Sequence, residues 1–298
     1  FYRIVKPYLK GNICEIGGGN NSILNKISNF SKLNFFFSFD KNLNIKLKNS
    51  KIKKIKDFFD IKYFQNQKNH IKIDLLVHSH TFEHLYDPNK FLSDVRSILG
   101  PNGKHIFTMP NMHPMIKKGY ANAMNFEHPY YCDEKLVDFL LYKNGFKIIK
   151  KKFYKEDHSI MYITEKSNNS SIKVSDPKKK YLMYKYNLKT FLSMFDMWEK
   201  DILKINKNLN NHEKIFIFGA HIFSQMMLFN GLNKKKIFGI LDNDKKKINK
   251  YLYGTNFKIF SPDVLKETIK PCVILRAGSY NEEIKKQLLK INKEIIIV

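Results

Sequence analysis

The chain has 298 residues, of which 43% are hydrophobic, and it carries a formal net charge of +26. This length is enough for two domains, each with its own core. No apolar run reaches the roughly 18 residues of a membrane-spanning helix, so we expect none. The chain begins at Phe1 rather than at Met, and its first segment lacks the apolar stretch and cleavage site of a signal peptide.

The positive charge has two interpretations. A polyanionic partner such as nucleic acid would account for it. The basic residues are almost all lysine, however, with arginine only at Arg3, Arg96 and Arg276, and Lys, Asn and Ile abound along the whole chain. A surface that binds phosphates usually favours arginine, whose planar guanidinium grips two oxygens at once. We therefore interpret the charge as compositional bias and expect no nucleic-acid partner.

The three cysteines, Cys14, Cys132 and Cys272, are far apart and form no CxxC pair. This pattern favours neither a zinc site nor a disulfide framework, and we expect no metal. Free cysteines are typical of the reducing cytoplasm, which is the location that we expect.

In the first half of the chain, short apolar runs alternate with helical patterns. The apolar runs predict strands at residues 12–16, 34–39, 52–55, 73–79, 104–109, 146–150 and 160–164. Helical patterns lie at residues 88–99 and 133–143. Strands separated by helices indicate βαβ units, so the sequence predicts an α/β domain with a mostly parallel sheet.

The first predicted strand ends at Glu15 and Ile16 and is followed by a glycine-rich turn, Gly17–Gly19. In open parallel sheets, ligands bind beyond the carboxyl ends of the strands, and glycine lets the backbone approach them closely. The third glycine of the dinucleotide pattern GxGxxG is missing, because Ser22 stands there. The Glu15 carboxylate also favours a cationic ligand over a pyrophosphate.

The second predicted strand ends at Asp40. In doubly wound folds, a carboxylate at this position accepts hydrogen bonds from both ribose hydroxyls of a nucleotide. A glycine-rich turn alone is equally typical of a tight strand-to-helix connection. The turn and the strand-end acid together indicate a ligand that contains a nucleoside.

A third pattern covers residues 73–111. It consists of an apolar strand, Glu83-His84, Asp87-Pro88, a helix ending in Leu99-Gly100-Pro101-Asn102-Gly103, and a strand ending in Pro110-Asn111. With the glycine turn and Asp40, this series resembles the class I S-adenosylmethionine-dependent methyltransferases of the small-molecule branch, in which EH, DP, LxPGG and PN recur. Asn102 replaces a glycine of that pattern, and asparagine tolerates left-handed backbone. The resemblance covers residues 10–165 and implies a Rossmann-like class I methyltransferase sheet.

This resemblance implies S-adenosylmethionine as the cofactor and a set of residues that hold it. Its members lie at the ends of the first four strands and are Glu15, Gly17, Gly19, Asp40, Asp57, Ser79 and His80. The glycines would contact the methionine part, Asp40 the ribose, and Asp57 the region of the adenine. Glu83 and His84 are equally compatible with a cap and packing contact at the start of a helix.

Between Pro110 and Gly145 lies a longer segment rich in polar and aromatic residues. An insertion at the carboxyl end of a sheet is a usual place for a substrate pocket, so we expect Asn111, Tyr130 and Tyr131 to bind the substrate.

Two histidines are candidate catalytic bases, because histidine titrates near neutral pH. His128 is the first, with Glu127 beside it, although it could instead cap the helix that begins near residue 133. His158 is the second, since the preceding Asp157 could orient its ring; the alternative is an ordinary loop turn.

Glu127, His128 and Tyr131 also match the pattern YHEHxSY of bacterial sugar C-methyltransferases, which carry a C-terminal Rossmann-like domain. In this chain, Asn125 replaces the catalytic tyrosine of that family, and its four-cysteine zinc segment is absent. The resemblance implies a sugar, nucleotide-sugar or glycan-precursor substrate in surface polysaccharide biosynthesis. Both O- and C-methylation stay open.

The second half of the chain predicts a further, smaller Rossmann-like α/β domain. Residues 165–180 are polar and predict a linker, and residues 181–208 predict a helix whose aromatic stripe we interpret as packing. Strand candidates follow at residues 214–218, 237–241, 272–275 and 294–298. The predicted domains are therefore residues 1–166 and 209–298, joined by residues 167–208. His221, Asp242 and Arg276 are the candidate ligand contacts of the second domain, and a scaffold without a ligand is the alternative.

Two other functions compete with a small-molecule methyltransferase. An RNA methyltransferase would account for the charge, but His78-Ser79-His80-Thr81 stands where base-amine methyltransferases often carry (D/N)PP(Y/F/W). A non-catalytic methyltransferase-like binding module is the other candidate, against which the intact turn Gly17–Gly19 and Asp40 argue. The sequence does not predict an oligomeric state.

Overall fold

The computed structural model describes residues 1–19, 22–27, 29–43, 49–66, 71–125, 127–168, 177–209 and 212–298. The chain divides into two units, of which the first comprises Phe1–Met112 and Phe126–Ser175 and the second His113–Asn125 and Asp176–Val298. Within the described ranges, no helix combines the length and the apolar character that crossing a membrane requires.

The N-terminal unit is built on a seven-stranded sheet. Its strands are β1 Gly11–Ile16, β2 Leu33–Phe39, β3 Ile52–Ile55, β4 Ile73–Ser79, β5 Leu99–Pro110, β6 Phe146–Tyr154 and β7 Ser159–Lys166. The strand order is β3-β2-β1-β4-β5-β7-β6. Strand β7 runs antiparallel to both of its neighbours, and the pairs among β1 to β5 are parallel. The predicted α/β class with a mostly parallel sheet is confirmed.

Both faces of this sheet are covered, which explains why its strands are apolar along most of their length. Successive side chains of a strand point to opposite faces. Along β4, Leu75 and Val77 therefore enter one core with Phe36, whereas Leu76 enters the other core with Phe37.

Helices of the N-terminal half connect these strands. They are α1 Tyr2–Val5, α2 Lys62–Gln65, α3 Pro88–Ile98, α4 Met112–Lys117 and α5 Glu134–Lys143. The side chain of Asp87 accepts a hydrogen bond from the Lys90 amide (2.9 Å) at the start of α3. Asp133 does the same for the Leu136 amide (2.7 Å) at the start of α5. These caps explain why the predicted starts of both helices agree with the structure.

The C-terminal unit contains a five-stranded parallel sheet. Its elements are α6 Pro177–Asn208, β8 Ile215–Phe218, α7 Ile222–Phe229, β9 Ile237–Leu241, β10 Ile259–Phe260, β11 Cys272–Leu275, α8 Asn281–Ile291 and β12 Ile296–Ile297. The strand order is β10-β9-β8-β11-β12, and every pair is parallel. The second α/β sheet is therefore confirmed. The short strand β10 was not predicted, because two residues are too few to show a periodic pattern.

The insertion His113–Asn125 belongs to the C-terminal unit, whereas the sequence assigned it to the first domain. The Trp198 indole on α6 donates a hydrogen bond to the Gly119 carbonyl (2.6 Å), and the Tyr120 ring lies 6.1 Å from that of Phe223 on α7. Such contacts join distant parts of the chain, so local sequence patterns do not reveal them.

Helix α6 begins at Pro177, earlier than predicted, and residues 169–176 of the predicted linker lie outside the described residues. The apolar stripe of α6 packs only in part. Among the predicted residues of the stripe, Phe191 and Trp198 are partly buried, whereas Leu188 and Leu192 are more than half exposed. The interpretation of the stripe as packing is therefore wrong for Leu188 and Leu192.

Candidate functional site

The carboxyl ends of β1 and β4 lie side by side where the strand order of the first sheet reverses. A cavity of about 430 Å³ opens there. The predicted cofactor residues that line it are Glu15, Gly17, Ser79 and His80. Crevices at such reversals are the usual ligand sites of open α/β sheets.

At Gly17 and Gly18 in the turn after β1, a side chain would crowd its neighbours. Gly17 has a left-handed backbone with φ of +68°, and a Cβ placed there would lie 2.6 Å from the hydroxyl oxygen of Thr81. A Cβ at Gly18 would lie 2.7 Å from the carboxyl carbon of Glu15. The turn continues into Asn20 and Asn21, which lie outside the described residues. These contacts require glycine, so the backbone forms one wall of the cavity.

Glu15 is a buried carboxyl group at this wall, only 3% exposed. It accepts hydrogen bonds from the Ser22 hydroxyl and from the Ile23 amide (2.8 Å). Burial raises its pKa from 4.5 to about 7, against the lowering effect of both hydrogen bonds. Ser22 was not predicted as a site residue, although a serine just before an apolar run is a recognisable helix cap.

We expect Glu15 to make the stability of the ligand-free chain depend on pH. Because folding raises its pKa, the stabilising contribution is complete below about pH 4.5 and is lost as the pH rises through about 7. The shift corresponds to at most about 3 kcal/mol of unfolding free energy. Denaturant titrations of the wild type and Glu15→Gln at several pH values test this. A difference between the two proteins that stays constant with pH would contradict it.

Asp40 lies beside the glycine turn, just after β2. Its Oδ1 atom accepts a hydrogen bond from the Asn42 amide (2.6 Å), and its Oδ2 atom would lie 3.4 Å from a Cβ at Gly19. Asp57 is exposed, and its carboxylate accepts a hydrogen bond from the Phe58 amide (2.8 Å). The structure thus brings Asp40 to the glycine turn and gives Asp57 a contact within its own turn.

Ser79 ends β4, His80 follows it, and both residues line the cavity. The Ser79 hydroxyl bonds to that of Thr108 (2.7 Å), and the His80 amide donates to the Thr108 carbonyl (2.9 Å). His80 has a φ of +51°, a left-handed conformation that is uncommon outside glycine. Such backbone is costly and is found preferentially at functional sites.

The His80 ring links two predicted site regions through hydrogen bonds. Its Nδ1 atom lies 3.2 Å from Oε1 of Glu83, and its Nε2 atom lies 3.0 Å from the Ser159 hydroxyl. The same hydroxyl lies 2.5 Å from Nδ1 of His158. One continuous series of hydrogen bonds, here called the relay, therefore runs through Glu83, His80, Ser159 and His158. The relay brings His158 into connection with a cavity wall, and its members Glu83 and Ser159 were not among the predicted site residues.

One arrangement of protons satisfies every contact in this relay. His158 donates from Nδ1 to Ser159, Ser159 donates to Nε2 of His80, and His80 donates from Nδ1 to the Glu83 carboxylate. The Nε2 atom of His158 then carries the lone pair. Burial lowers the pKa of His158, and the proximity of His80 and Lys155 lowers it further. His158 is therefore neutral near neutral pH and can accept a proton.

The predicted substrate residue Asn111 supports the His158 loop. Its side-chain amide donates to the Glu156 carbonyl (2.5 Å), and its backbone amide donates to the His158 carbonyl (3.0 Å). Glu156 has a left-handed backbone with φ of +21°. The Asn111 side chain is buried and engaged within the chain, which gives it a role in positioning this loop.

The segment of Glu127 to Tyr131 packs on the connection between β4 and α3. The Tyr130 hydroxyl donates to the Phe82 carbonyl (2.8 Å), and Nδ1 of His84 donates to the Glu127 carbonyl (3.0 Å). The rings of His84 and His128 lie 4.9 Å apart. Phe126, which precedes this segment, lies outside the described residues.

The two tyrosines of this segment are half-buried, and burial raises the pKa of both. Tyr130 uses its hydroxyl within the chain, as the contact to Phe82 shows. Glu127 is exposed. The structure thus places His128 near His84 and Glu83. It connects His158 to His80 through the Ser159 hydroxyl.

The C-terminal unit has a second cavity, of about 290 Å³, bordered among others by Tyr120, Trp198, Met227 and Arg276. The predicted contact residues of this unit all have partners within the chain. Arg276 pairs with both carboxylate oxygens of Asp201 (2.7 and 2.8 Å). Asp242 accepts hydrogen bonds from the amides of Ala220 (2.7 Å) and Asp244 (2.8 Å), and His221 caps α7 through the Phe223 amide (3.3 Å).

Parts of both units match known protein families. Residues 5–151 match the family described as methyltransferase domain. Residues 211–297 match the family described as C2185-like, N-terminal. No curated protein matches the chain.

Several solved structures are similar to the chain at low identity. An S-adenosylmethionine-dependent methyltransferase from Clostridium acetobutylicum shares 13% identity over 56% of this chain and 90% of its own, with a TM-score of 0.43. A putative S-adenosylmethionine-dependent methyltransferase from Listeria monocytogenes shares 12% identity over 56% of this chain and 98% of its own, with a TM-score of 0.43. The N-methyltransferase NodS from Bradyrhizobium japonicum shares 12% identity over 55% of this chain and 90% of its own, with a TM-score of 0.38.

The site fits the predicted cofactor. A cavity at the strand-order reversal, the glycine turn and the strand-end carboxylate Asp40 together suit a nucleoside that carries a cationic group. Residues 5–151 match a methyltransferase-domain family, and the cavity of the N-terminal unit suits S-adenosylmethionine.

Proposed function

We propose that the chain methylates a hydroxyl group of a sugar, a nucleotide-sugar or a glycan precursor of surface polysaccharide biosynthesis. The observation that carries the proposal is the relay from Glu83 to His158, which joins a neutral histidine to the wall of the cofactor cavity. A hydroxyl loses its proton as it is methylated, so its methylation benefits from a nearby base. The polar and aromatic segment around Tyr131 supports a polar small-molecule acceptor.

The glycine turn Gly17–Gly19, Glu15 and Asp40 would hold S-adenosylmethionine. When bound, the cofactor supplies a methyl group that its sulfonium already activates. The chain must therefore hold the acceptor in line with the methyl group and exclude water from the cavity. Positioning of this kind contributes up to about 7–11 kcal/mol in favourable cases.

His158 is the proton acceptor in this proposal. Its Nε2 atom takes the proton of the acceptor hydroxyl, and the charge that develops on the ring is stabilised through Ser159 and His80 by the carboxylate of Glu83. His128, the other predicted base, contacts His84 instead and is not part of this relay. We therefore assign the role of catalytic base to His158 and not to His128.

The direct test is transfer of a labelled methyl group from S-adenosylmethionine to a panel of sugars, nucleotide-sugars and glycan precursors. Methylation of a hydroxyl on one of these acceptors supports the proposal, and the product's linkage separates O- from C-methylation. Label entering RNA from a parallel total-RNA reaction, with none in any sugar, would overturn it in favour of an RNA methyltransferase.

His158→Ala should lower the turnover number by about 100- to 10,000-fold and leave the affinity for S-adenosylmethionine within about threefold, because it removes only the base. Steady-state kinetics and calorimetry measure the two effects. Added imidazole should restore part of the rate. His212→Ala, in the other unit, is the matched control and should keep full activity. A His158→Ala protein with normal turnover would eliminate this residue as the base.

A further inference from the structure

We propose that Glu83, His84 and His128 bind a divalent metal ion of the zinc type next to the cofactor cavity. One ligand atom from each of these residues lies within 4.8 Å of the other two. All three belong to the N-terminal unit, and His80 connects Glu83 to the cavity wall. The sequence did not predict this site, because Glu83 and His84 are far from His128 along the chain.

The carboxylate of Glu83 calls for a positively charged partner. Glu83 is 1% exposed, and its Oε2 atom has no hydrogen-bond partner within the described part of the chain. Its other oxygen, Oε1, lies 3.2 Å from Nδ1 of His80. A buried carboxylate oxygen without a donor is costly, and native proteins rarely keep one without an ion, a water or a proton. A metal ion at Oε2 would satisfy it.

His84 is already oriented as a metal ligand. Because a carbonyl oxygen can only accept, the contact to the Glu127 carbonyl places the ring proton on Nδ1 and the lone pair on Nε2. Histidines that bind metals almost always donate their other ring nitrogen in this way, to a carbonyl or a carboxylate. The same contact fixes the position of the residue that precedes His128.

Two imidazoles and one carboxylate are the ligand set of many catalytic zinc sites, which keep further positions open. Two ligands of one such ion lie about 3.4 Å apart, so binding would draw the three side chains together by about 1 Å. The His84 and His128 rings, 4.9 Å apart, can approach by side-chain rotation. An open position would take an oxygen of the acceptor and lower the pKa of its hydroxyl. That last role rests on the proposed function, whereas metal binding itself does not.

The test is the affinity of the ligand-free full chain for Zn²⁺, measured by competition with a chromophoric chelator after removal of any affinity tag. We expect one tight site per chain. Glu83→Gln, His84→Ala and His128→Ala should each weaken it by at least about tenfold. The matched controls His158→Ala and His212→Ala should bind Zn²⁺ like the wild type. Thermal melting of each variant shows whether it is folded.

The visible absorption of Co²⁺ provides a second measurement, because the absorption bands of this ion depend on its coordination by the protein. The bands should be present in the wild type and in both controls. They should be lost in His128→Asn, a substitution chosen because asparagine is close to histidine in size. Zn²⁺ binding that does not saturate at one ion per chain would overturn the proposal. Zn²⁺ binding that none of the three ligand variants weakens would overturn it as well. Neither experiment contains an acceptor, so zinc binding without methyl transfer would contradict the proposed function and leave the metal site standing.

Discussion

Asp40→Ala will weaken the binding of S-adenosylmethionine about 100-fold or more. Asp40 stands at the end of β2 beside Gly19, with Oδ1 held by the Asn42 amide and Oδ2 next to the glycine turn. A carboxylate at this position can accept hydrogen bonds from both ribose hydroxyls. Hydrogen bonds to charged groups contribute about 1.5–3 kcal/mol each, so the loss of two corresponds to this factor or more.

Isothermal titration calorimetry measures the effect, and Asp57→Ala is the matched control. Asp57 was predicted to lie near the adenine, but its carboxylate is exposed and bonded to the Phe58 amide. We expect the control to bind within about threefold of the wild type, because an exposed carboxylate contributes little. Equal binding by Asp40→Ala and the wild type would remove the ribose role from Asp40. A large loss in Asp57→Ala would extend the cofactor site to that residue.

The second large effect comes from a pair of histidines in the core of the N-terminal sheet. His78 on β4 and His105 on β5 are fully buried, and their Nε2 atoms lie 2.9 Å apart. The Phe107 ring stacks on both, at 4.8 and 4.7 Å. Burial lowers the pKa of His105 to about 3, and burial followed by the proximity of His105 lowers that of His78 well below 6.5. Both side chains are therefore neutral in the folded protein.

We expect this pair to destabilise the fold in mild acid. Because folding lowers both pKa values, the stabilising contribution is complete above about pH 6.5 and is lost as the pH falls below it. Each histidine contributes about 1.4 kcal/mol per pH unit, so the pair would lower the unfolding free energy by roughly 4 kcal/mol at about pH 5. Denaturant titrations between about pH 5 and 8 measure this loss.

The double variant His78→Leu with His105→Leu is the comparison, because leucine is close to histidine in volume and does not titrate. Between about pH 8 and 5 its unfolding free energy should fall by roughly 4 kcal/mol less than that of the protein that keeps both histidines. Both proteins should carry Glu15→Gln, because Glu15 has the opposite dependence on pH in the same window. Parallel stability curves for the two proteins would contradict the prediction and would mean that the pair stays neutral in the unfolded chain or charged in the folded one.

Much of the fold could be predicted because its signals are local. The apolar run of β4 indicates a strand through the composition of seven consecutive residues, Ile73–Ser79. Asp87 and Asp133 indicate helix starts, because a cap acts on amides only three residues away. Gly17–Gly19 and Asp40 end adjacent strands, and parallel strands bring their carboxyl ends to the same edge. The cofactor part of the candidate site therefore follows from order along the chain.

The remaining features depend on contacts between distant segments. His80 meets Ser159, and His84 meets His128, only because β5, β7 and the segment before α5 return to the end of β4. The grouping of His113–Asn125 with the C-terminal unit likewise rests on Trp198 and Phe223, which are far away in sequence. The sequence by itself determined the two α/β sheets and the glycine turn with its strand-end acid, since short-range patterning specifies them. The tertiary structure alone decided that His158 connects to His80 and that His128 lies near His84 and Glu83, because contacts between distant segments set these pairs.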